Sequence, residues 1–277
     1  MRSGVRARHD ARVAVIESRR LRDPLLVLLI LAGLFFGLAP LLLPTQFGDA
    51  TGFRAEDLFL YRLAGAATLG YGVAVGVGFR APWRELRILI ASTAVFNGAS
   101  IAACLVTIAQ GGAQWLIYVI LVASILFTAG TLSLLASPPL GPGERRGPDG
   151  SPDVAQWIVA LFAIGVLASL VFGLGPLVAG GGFGRALGYP GLDDFIYRQA
   201  GAATTGACVG GLLALQSQRW REIRLAAVAA LTFNLASVLA ALVEVAGGSP
   251  QPVVFLILAA AALVTAGMAI ALRRAGR

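Results

Sequence analysis

Lysine is missing altogether: all 22 basic residues are arginine. That removes every mechanism needing a lysine amine, including retinal or pyridoxal Schiff bases and the phosphate-binding P-loop. Histidine is almost absent. His9, in the polar N-terminal tail, is the only one, so paired axial ligands for a membrane haem and a His-rich metal site are excluded. The two cysteines, Cys104 and Cys208, lie inside apolar segments without a Cys-x-x-Cys pair and read as small hydrophobes at helix interfaces. Charge is scarce too. Only 13% of the 277 residues are charged, against about 25% in a soluble protein. What replaces it is apolar surface: 57% hydrophobic residues and a mean hydropathy of +0.81. A soluble globule, a disordered chain and a collagen-like fibre are excluded. No cofactor and no metal are expected. Nothing supplies catalytic groups, so the chain reads as not an enzyme.

A bilayer core of about 30 Å needs roughly 20 apolar residues per helix. Stretches of that length run over 25–44, 62–79, 86–109, 115–136, 156–179, 199–217, 224–246 and 253–272. They are continuous rather than alternating, which argues against a barrel, and backbone groups in hydrocarbon must bond internally. The expected fold is therefore an all-α integral membrane protein with eight transmembrane helices. Trp83, Trp115, Trp157 and Trp220 sit at stretch ends, where an indole suits the headgroup level. The first stretch follows seven arginines, but it is too long for a signal-peptide core of about 7–15 residues; it is expected to be retained.

Arginine counting sets the orientation. The N-terminal tail, the loops holding Arg80, Arg84 and Arg87 and Arg219, Arg221 and Arg224, the linker and the C-terminus together carry 18 arginines. The opposite side has only Arg54, Arg62, Arg185 and Arg198. Both termini are expected to be cytoplasmic, and the net charge of +8 reflects topology rather than nucleic-acid binding.

The two halves repeat each other. Residues 36–70 match 172–206 at 19 of 35 positions. Among them, Asp57, Tyr61, Arg62 and Gly65 pair with Asp193, Tyr197, Arg198 and Gly201. One inserted residue later, Trp83, Arg84, Glu85 and Arg87 match Trp220, Arg221, Glu222 and Arg224, and Phe96, Asn97 and Ser100 match Phe233, Asn234 and Ser237. Four stretches per unit is an even number, so the units are expected to be parallel four-helix repeats from a gene duplication. The organisation follows: a basic tail 1–24, repeat 1 over 25–136, a Pro/Gly-rich cytoplasmic linker 137–155, repeat 2 over 156–272 and a tail 273–277. Residues 9–22 read either as a short basic surface helix or as a disordered tail.

An apolar first span ending near Pro40, an outer loop with Phe47-Gly48, and Arg62 with Gly65 opening the second span make each half similar to the DoxX-like group of small four-helix bacterial membrane proteins, here as a tandem duplicate. The resemblance implies a membrane partner of redox or quinone-linked enzymes. The redox cysteines such a role would use have no counterpart in this chain. Arginine-only basic usage hints at a GC-rich genome, and with the resemblance it places the chain in a bacterial cytoplasmic membrane.

Three constellations stand out. At the outer interface are Asp57, Tyr61 and Arg62, repeated as Asp193, Tyr197 and Arg198. They read as anchors, the tyrosine in the aromatic belt and the arginine neutralised by the nearby acid or a lipid phosphate; the alternative is an outer anion or headgroup site. At the inner interface Trp83, Arg84, Glu85 and Arg87, with Trp220, Arg221, Glu222 and Arg224, read as topology determinants with acids at helix starts; the alternative is a docking surface. Within the membrane, Thr93, Asn97, Ser100, Cys104 and Thr107 trace one helix face, as do Asn234, Ser237, Ala241 and Glu244. Each asparagine lies ten residues past an interfacial arginine, about 15 Å deep. Such a stripe avoids lipid. It serves interhelical hydrogen bonds or lines a polar cavity between the units. Glu244, the one acid within a stretch, is a functional candidate.

The expected function is a non-enzymatic accessory, scaffold or lipid-binding membrane protein of unknown molecular role. Its expected partners are membrane lipids, anionic ones among them, and proteins of a membrane complex. Two alternatives stay open: a transporter or channel for a small substrate between the repeats, and a quinone-linked redox partner.

Overall fold

A computed structural model describes the backbone of residues 2–112, 114–139, 154–248 and 250–275, with side chains from Leu21 to Arg274 within those segments. Most of the expected linker, including Arg145 and Arg146, lies outside the described residues, as do the side chains of the basic tail before Leu21. The described residues are helical, without strands. In order they form α1 (Arg2–Leu42), α2 (Pro44–Thr51), α3 (Leu58–Val77), α4 (Trp83–Ala109), α5 (Trp115–Ala136) and α6 (Gln156–Ser169). A π-helical turn (Leu170–Leu174) then leads into α7 (Gly175–Ala179), α8 (Gly181–Ala186), α9 (Asp194–Ser217), α10 (Trp220–Ala246) and α11 (Pro252–Ala275). The π turn precedes Pro176, whose missing N–H leaves the Phe172 carbonyl without its helical donor.

Seven segments are long and apolar enough to cross a membrane: Leu21–Leu42, Leu58–Val77, Trp83–Ala109, Trp115–Ala136, Gln156–Ala179, Trp220–Ala246 and Pro252–Arg274. The remaining long helix, α9, has 24 residues but carries Asp194, Arg198, Gln199, Thr204, Thr205 and four glycines. Its polarity is tolerated because it runs through the centre, with more than half of its residues buried. Elsewhere the outside is greasy. Phe35 is 61% exposed, Leu126 64%, Leu167 66% and Val178 77%, while Ser92, Thr93, Asn97, Ser100 and Thr131 are buried. That inversion of the water-soluble pattern suits helices whose solvent is hydrocarbon, and the chain is accordingly described as a multi-pass membrane protein.

The packing is not that of two separate bundles. α1 lies along α3, and the α6–π–α7 segment lies along α9, but α3 and α4 barely meet. Instead α3 packs on α10 and α4 on α9, with α5 and α11 outside α4 and α10. The apolar cores follow suit: one unites Tyr71, Leu86 and Leu89 with Ala203 and Leu225, another Phe59 with Ala240, Ala241 and Val254. Small residues permit these approaches. A Cβ on Gly33 would sit 2.5 Å from Gly72 Cα, and one on Gly206 only 2.5 Å from Tyr71 Oη and 2.7 Å from the Ser92 carbonyl oxygen. Gly76, by contrast, has only Ile30 within 4 Å. At the end of α3, Arg22 donates to the carbonyls of Phe79 (3.0 Å) and Ala81 (2.7 Å), tying α1 to the α3–α4 turn.

Because α3 packs on α10 and α4 on α9 across the boundary between the halves, severing the chain between Gly147 and Pro148 and co-expressing the pieces is expected to give a stable, stoichiometric complex. Each piece alone is expected to aggregate or be degraded. Size-exclusion chromatography in detergent reads the outcome, and two independently monodisperse halves would contradict it.

Candidate functional site

Two reciprocal sets of polar contacts and three cavities make up the candidate site. At the α2/α8 end, Asp193 Oδ1 accepts from Arg54 N (3.0 Å), and its Oδ2 accepts from Ala55 N (2.9 Å) and Tyr61 Oη (2.8 Å). In mirror fashion, Asp57 Oδ2 accepts from Gly191 N (3.1 Å) and Tyr197 Oη (2.8 Å). Each carboxylate therefore bonds the tyrosine of the opposite half, not the arginine that follows it in sequence. Both tyrosines are buried in protein rather than facing a headgroup layer. Arg198, 5% exposed, bonds Asp194 at 3.1 Å, and Asp194 also accepts from Gly181 N at 2.6 Å. Arg62 is half-buried and has no ion pair among the described residues.

The two aspartates are not equivalent. Both Asp193 oxygens have donors, whereas Asp57 Oδ1 is buried and has no partner among the described residues. Burial pushes the Asp57 carboxyl above the usual carboxylate range; the bonds from Tyr197 and Gly191 oppose this, and the charges of Asp193 and Glu56 add to it. Close by, Tyr189 carries a buried hydroxyl without a hydrogen-bond partner among the described residues. Burial, then the charges of Glu244 and Asp57, raise its pKa, so it remains a neutral donor. Glu244 itself is half-buried.

At the opposite end, Glu85 accepts from Arg221 Nε (3.0 Å) and Arg224 Nη2 (2.9 Å), while Glu222 accepts from Arg87 Nη2 (3.1 Å) and Ser217 Oγ (2.7 Å). The acids are largely enclosed and the arginines about half exposed. These acids thus join the halves, beyond any effect on helix dipoles. Trp83 is 4% exposed, packed against protein; Trp220 and Arg84 are half-buried.

Between the two ends, Thr93, Asn97, Ser100, Cys104 and Thr107 are all buried. The asparagines do not bridge helices: Asn97 Nδ2 donates to Thr93 O and Asn234 Nδ2 to Ala230 O, each at 2.8 Å within its own helix. Neither Oδ1 accepts a hydrogen bond from a described residue. Interhelical bonds come from other groups. Ser100 Oγ donates to Gln199 Oε1 (2.9 Å), Ser92 Oγ to Gly206 O (2.6 Å) and Tyr71 Oη to Ala203 O (2.9 Å); Ser237 Oγ turns back to Phe233 O (2.9 Å).

Each asparagine lines a cavity. The first, of about 110 Å³, lies among Phe36, Phe47, Thr68 and Asn97, with Gln199 reaching in from α9. The second, of about 170 Å³, lies among the sequence-matched Phe172, Phe183, Thr204 and Asn234, with Leu63 reaching in from α3. A third, of about 140 Å³, borders the second and also touches Asn234. For scale, an apolar cavity of about 150 Å³ takes up benzene. No aspartate, glutamate or arginine lines any of the three, so a charged occupant would be left unpaired in a low dielectric.

Asp194, Gln199, Tyr71, Ser92 and Tyr189 escaped the sequence reading. Asp194 stands four residues before Arg198, a spacing that pairs charges on a helix. Gln199 and Tyr71 could have been found where the halves disagree, opposite Leu63 and Ala207. No protein-family model matches the chain, and no curated protein or solved structure gives a significant match.

The aspartates yield a paired prediction. Folded Asp57 holds its proton more tightly than the unfolded chain does, so its stability contribution is greatest at low pH and falls as pH rises through its raised pKa. Asp57→Asn keeps the Oδ2 acceptor and puts the amide at the unpartnered oxygen. It is expected to raise the Tm at neutral pH and flatten the decline that begins as pH rises past the ordinary carboxylate range. Asp193→Asn must present an amide N–H to a donor and is expected to cost about 1–3 kcal/mol. Thermal unfolding of detergent-purified protein across pH measures both; equal effects would contradict the assignment.

Proposed function

We propose that the chain is a non-enzymatic binding protein of a bacterial cytoplasmic membrane, which takes up a neutral, largely apolar molecule from the bilayer. Its spans number eight in this proposal, with α9 as the sixth, arranged as two parallel repeats with both termini in the cytoplasm. The observation that carries the proposal is the pair of sequence-matched cavities. Each has an asparagine carbonyl without a donor, each is closed by a helix of the opposite half, and neither is lined by a charge. A protein whose role is packing alone has no need for two such spaces, which forfeit contacts that a filled core would make. The rims favour access from lipid: Leu256, on the second cavity, is 61% exposed. Membrane lipids are the proposed partners, and an accessory role within a membrane complex is compatible with the interlocked halves. The DoxX-like likeness supports only the outline of each repeat; a bound quinone would be one neutral occupant among several.

The contents of the purified protein test this. Wild type is expected to carry a neutral lipid-soluble molecule through detergent purification, detected by extraction and mass spectrometry. Asn97→Leu with Asn234→Leu is expected to insert and fold while losing at least about tenfold of that content, the loss of roughly one good hydrogen bond. A wild type that brings down partner proteins and no such molecule would favour the scaffold. Solute uptake abolished by the double variant would favour a transporter.

Topology has its own test. Cysteines introduced at Gly112 and Gly147 are expected to label from opposite faces of the membrane in a background lacking Cys104 and Cys208. Labelling from one face would overturn the eight-span arrangement.

A further inference from the structure

The halves differ most where the second has lost bulk. In the first half Leu29, Tyr71, Val75 and Leu89 are buried in one core, with Phe127 packed against it. Their sequence-matched positions carry Gly165, Ala207, Gly211, Ala226 and Val264, and all five line the third cavity. In the first half Leu29, Tyr71, Val75 and Phe127 wall the inner end of the first cavity; in the second the matched small residues open onto the third cavity, which Tyr71 and Leu89 close from the first half. The second and third cavities moreover share Ala168, Ser169, Phe233, Asn234 and Ala260. Together they form an outer and an inner chamber meeting at Asn234. Along α11 the lining runs from Val253 in the outer chamber to Met268 in the inner one, fifteen residues or about 22 Å of helix. One leaflet's share of the hydrocarbon core is only about 15 Å.

The chambers differ chemically. Inner-chamber replacements are glycine, alanine and valine, with Met268 at the far end, an adaptable lining for flexible hydrocarbon. The outer chamber holds two unused polar groups: the buried Tyr189 hydroxyl, a donor, and the Asn234 carbonyl oxygen, an acceptor. Asp57 and Glu244 act on Tyr189 electrostatically, so that mouth disfavours an anionic head. Exposed Ile164, on the inner chamber, and Leu256, on the outer, leave side openings toward lipid.

Resting on the binding function proposed above, we infer that the second half holds a neutral single-chain lipid, its hydroxyl- or ester-bearing head between Tyr189 and Asn234 and its hydrocarbon chain in the inner chamber, while Tyr71, Leu29 and Phe127 plug the corresponding space in the first half. The two cavities thus have unequal occupants. The first accepts only a short or compact molecule; the second takes a chain.

A monoacylglycerol with a photoreactive diazirine at its chain end tests this on the full-length protein in nanodiscs. After irradiation, cross-linked peptides are expected to centre on Val264 and Met268, with at least about tenfold less label at the matched Phe127 and Thr131, the ratio expected of about 1.4 kcal/mol. Ala207→Tyr with Gly165→Leu installs the residues the first half already carries, and should reduce labelling at Met268 by a similar factor. Tyr189→Phe should weaken it roughly three- to tenfold. The wild-type distribution stands by itself if the double variant misfolds. Equal label in both halves, or label at Met268 unaffected by the double substitution in folded protein, would overturn the chain site. Label confined to the outer chambers around Phe36 and Phe172 would refute the chain site yet preserve the binding function. Label in neither half would remove both.

Discussion

Everything in this fold hangs on carboxylates that find their donors in the opposite half. Asp57 and Asp193 at one end, and Glu85 and Glu222 at the other, are the acids at helix starts that lie deepest in protein, and each accepts a side-chain hydrogen bond from the opposite half, Glu222 adding a local one from Ser217. A buried acid without a donor is expensive, so α3 is fixed against α9 at one end and α4 against α10 at the other. The apolar surfaces of these helices do not specify a partner; in lipid, a leucine gains little by choosing one neighbour over another. Polar groups at the ends, and close glycine contacts such as Gly33 with Gly72, supply that choice.

The helix positions were plain in the sequence because continuous apolar length is a direct physical requirement of a bilayer. Most expected stretches and observed helices agree within about five residues, down to 115–136 for α5; the exception is α1, which begins at Arg2 and carries helix through the expected tail 1–24. α9 shows the limit of that signal. Buried among other helices, it can carry Arg198, Gln199 and four glycines that no lipid-facing helix would keep, so its composition is that of a core rather than of a surface. The partner choice was not legible. A repeat reveals which residues are equivalent but is silent on whether equivalents pair within a unit or across the boundary, and Tyr61 with Asp193 pairs across it.

The site divides in the same way. The asparagine stripe was readable from spacing, because polar groups avoid lipid whatever surrounds them. Its use was not: an asparagine can bridge two helices or satisfy itself on its own helix, as Asn97 does through Thr93, and only the second leaves an oxygen facing a cavity. The chambers were hidden for a different reason. The inner one is lined by the small residues Gly165, Ala207, Gly211, Ala226 and Val264, and a small residue in an apolar helix looks like close packing until its neighbours are placed. Duplicate sequences offer one remedy, since each half records the bulk the other has lost.

The long reach of the outer bonds carries a consequence for synthesis. Asp57 and the Tyr197 hydroxyl it binds are 140 residues apart. At a ribosomal rate of about 5–20 residues per second, roughly 7–28 s separate their emergence. Throughout that interval the newly made first half has neither the tyrosine nor the Gly191 amide that will later solvate its aspartate. It must therefore stay near water, or beside the insertion machinery, with its early helices unlocked. Assembly is consequently late and concerted, closing only when α9 and α10 arrive.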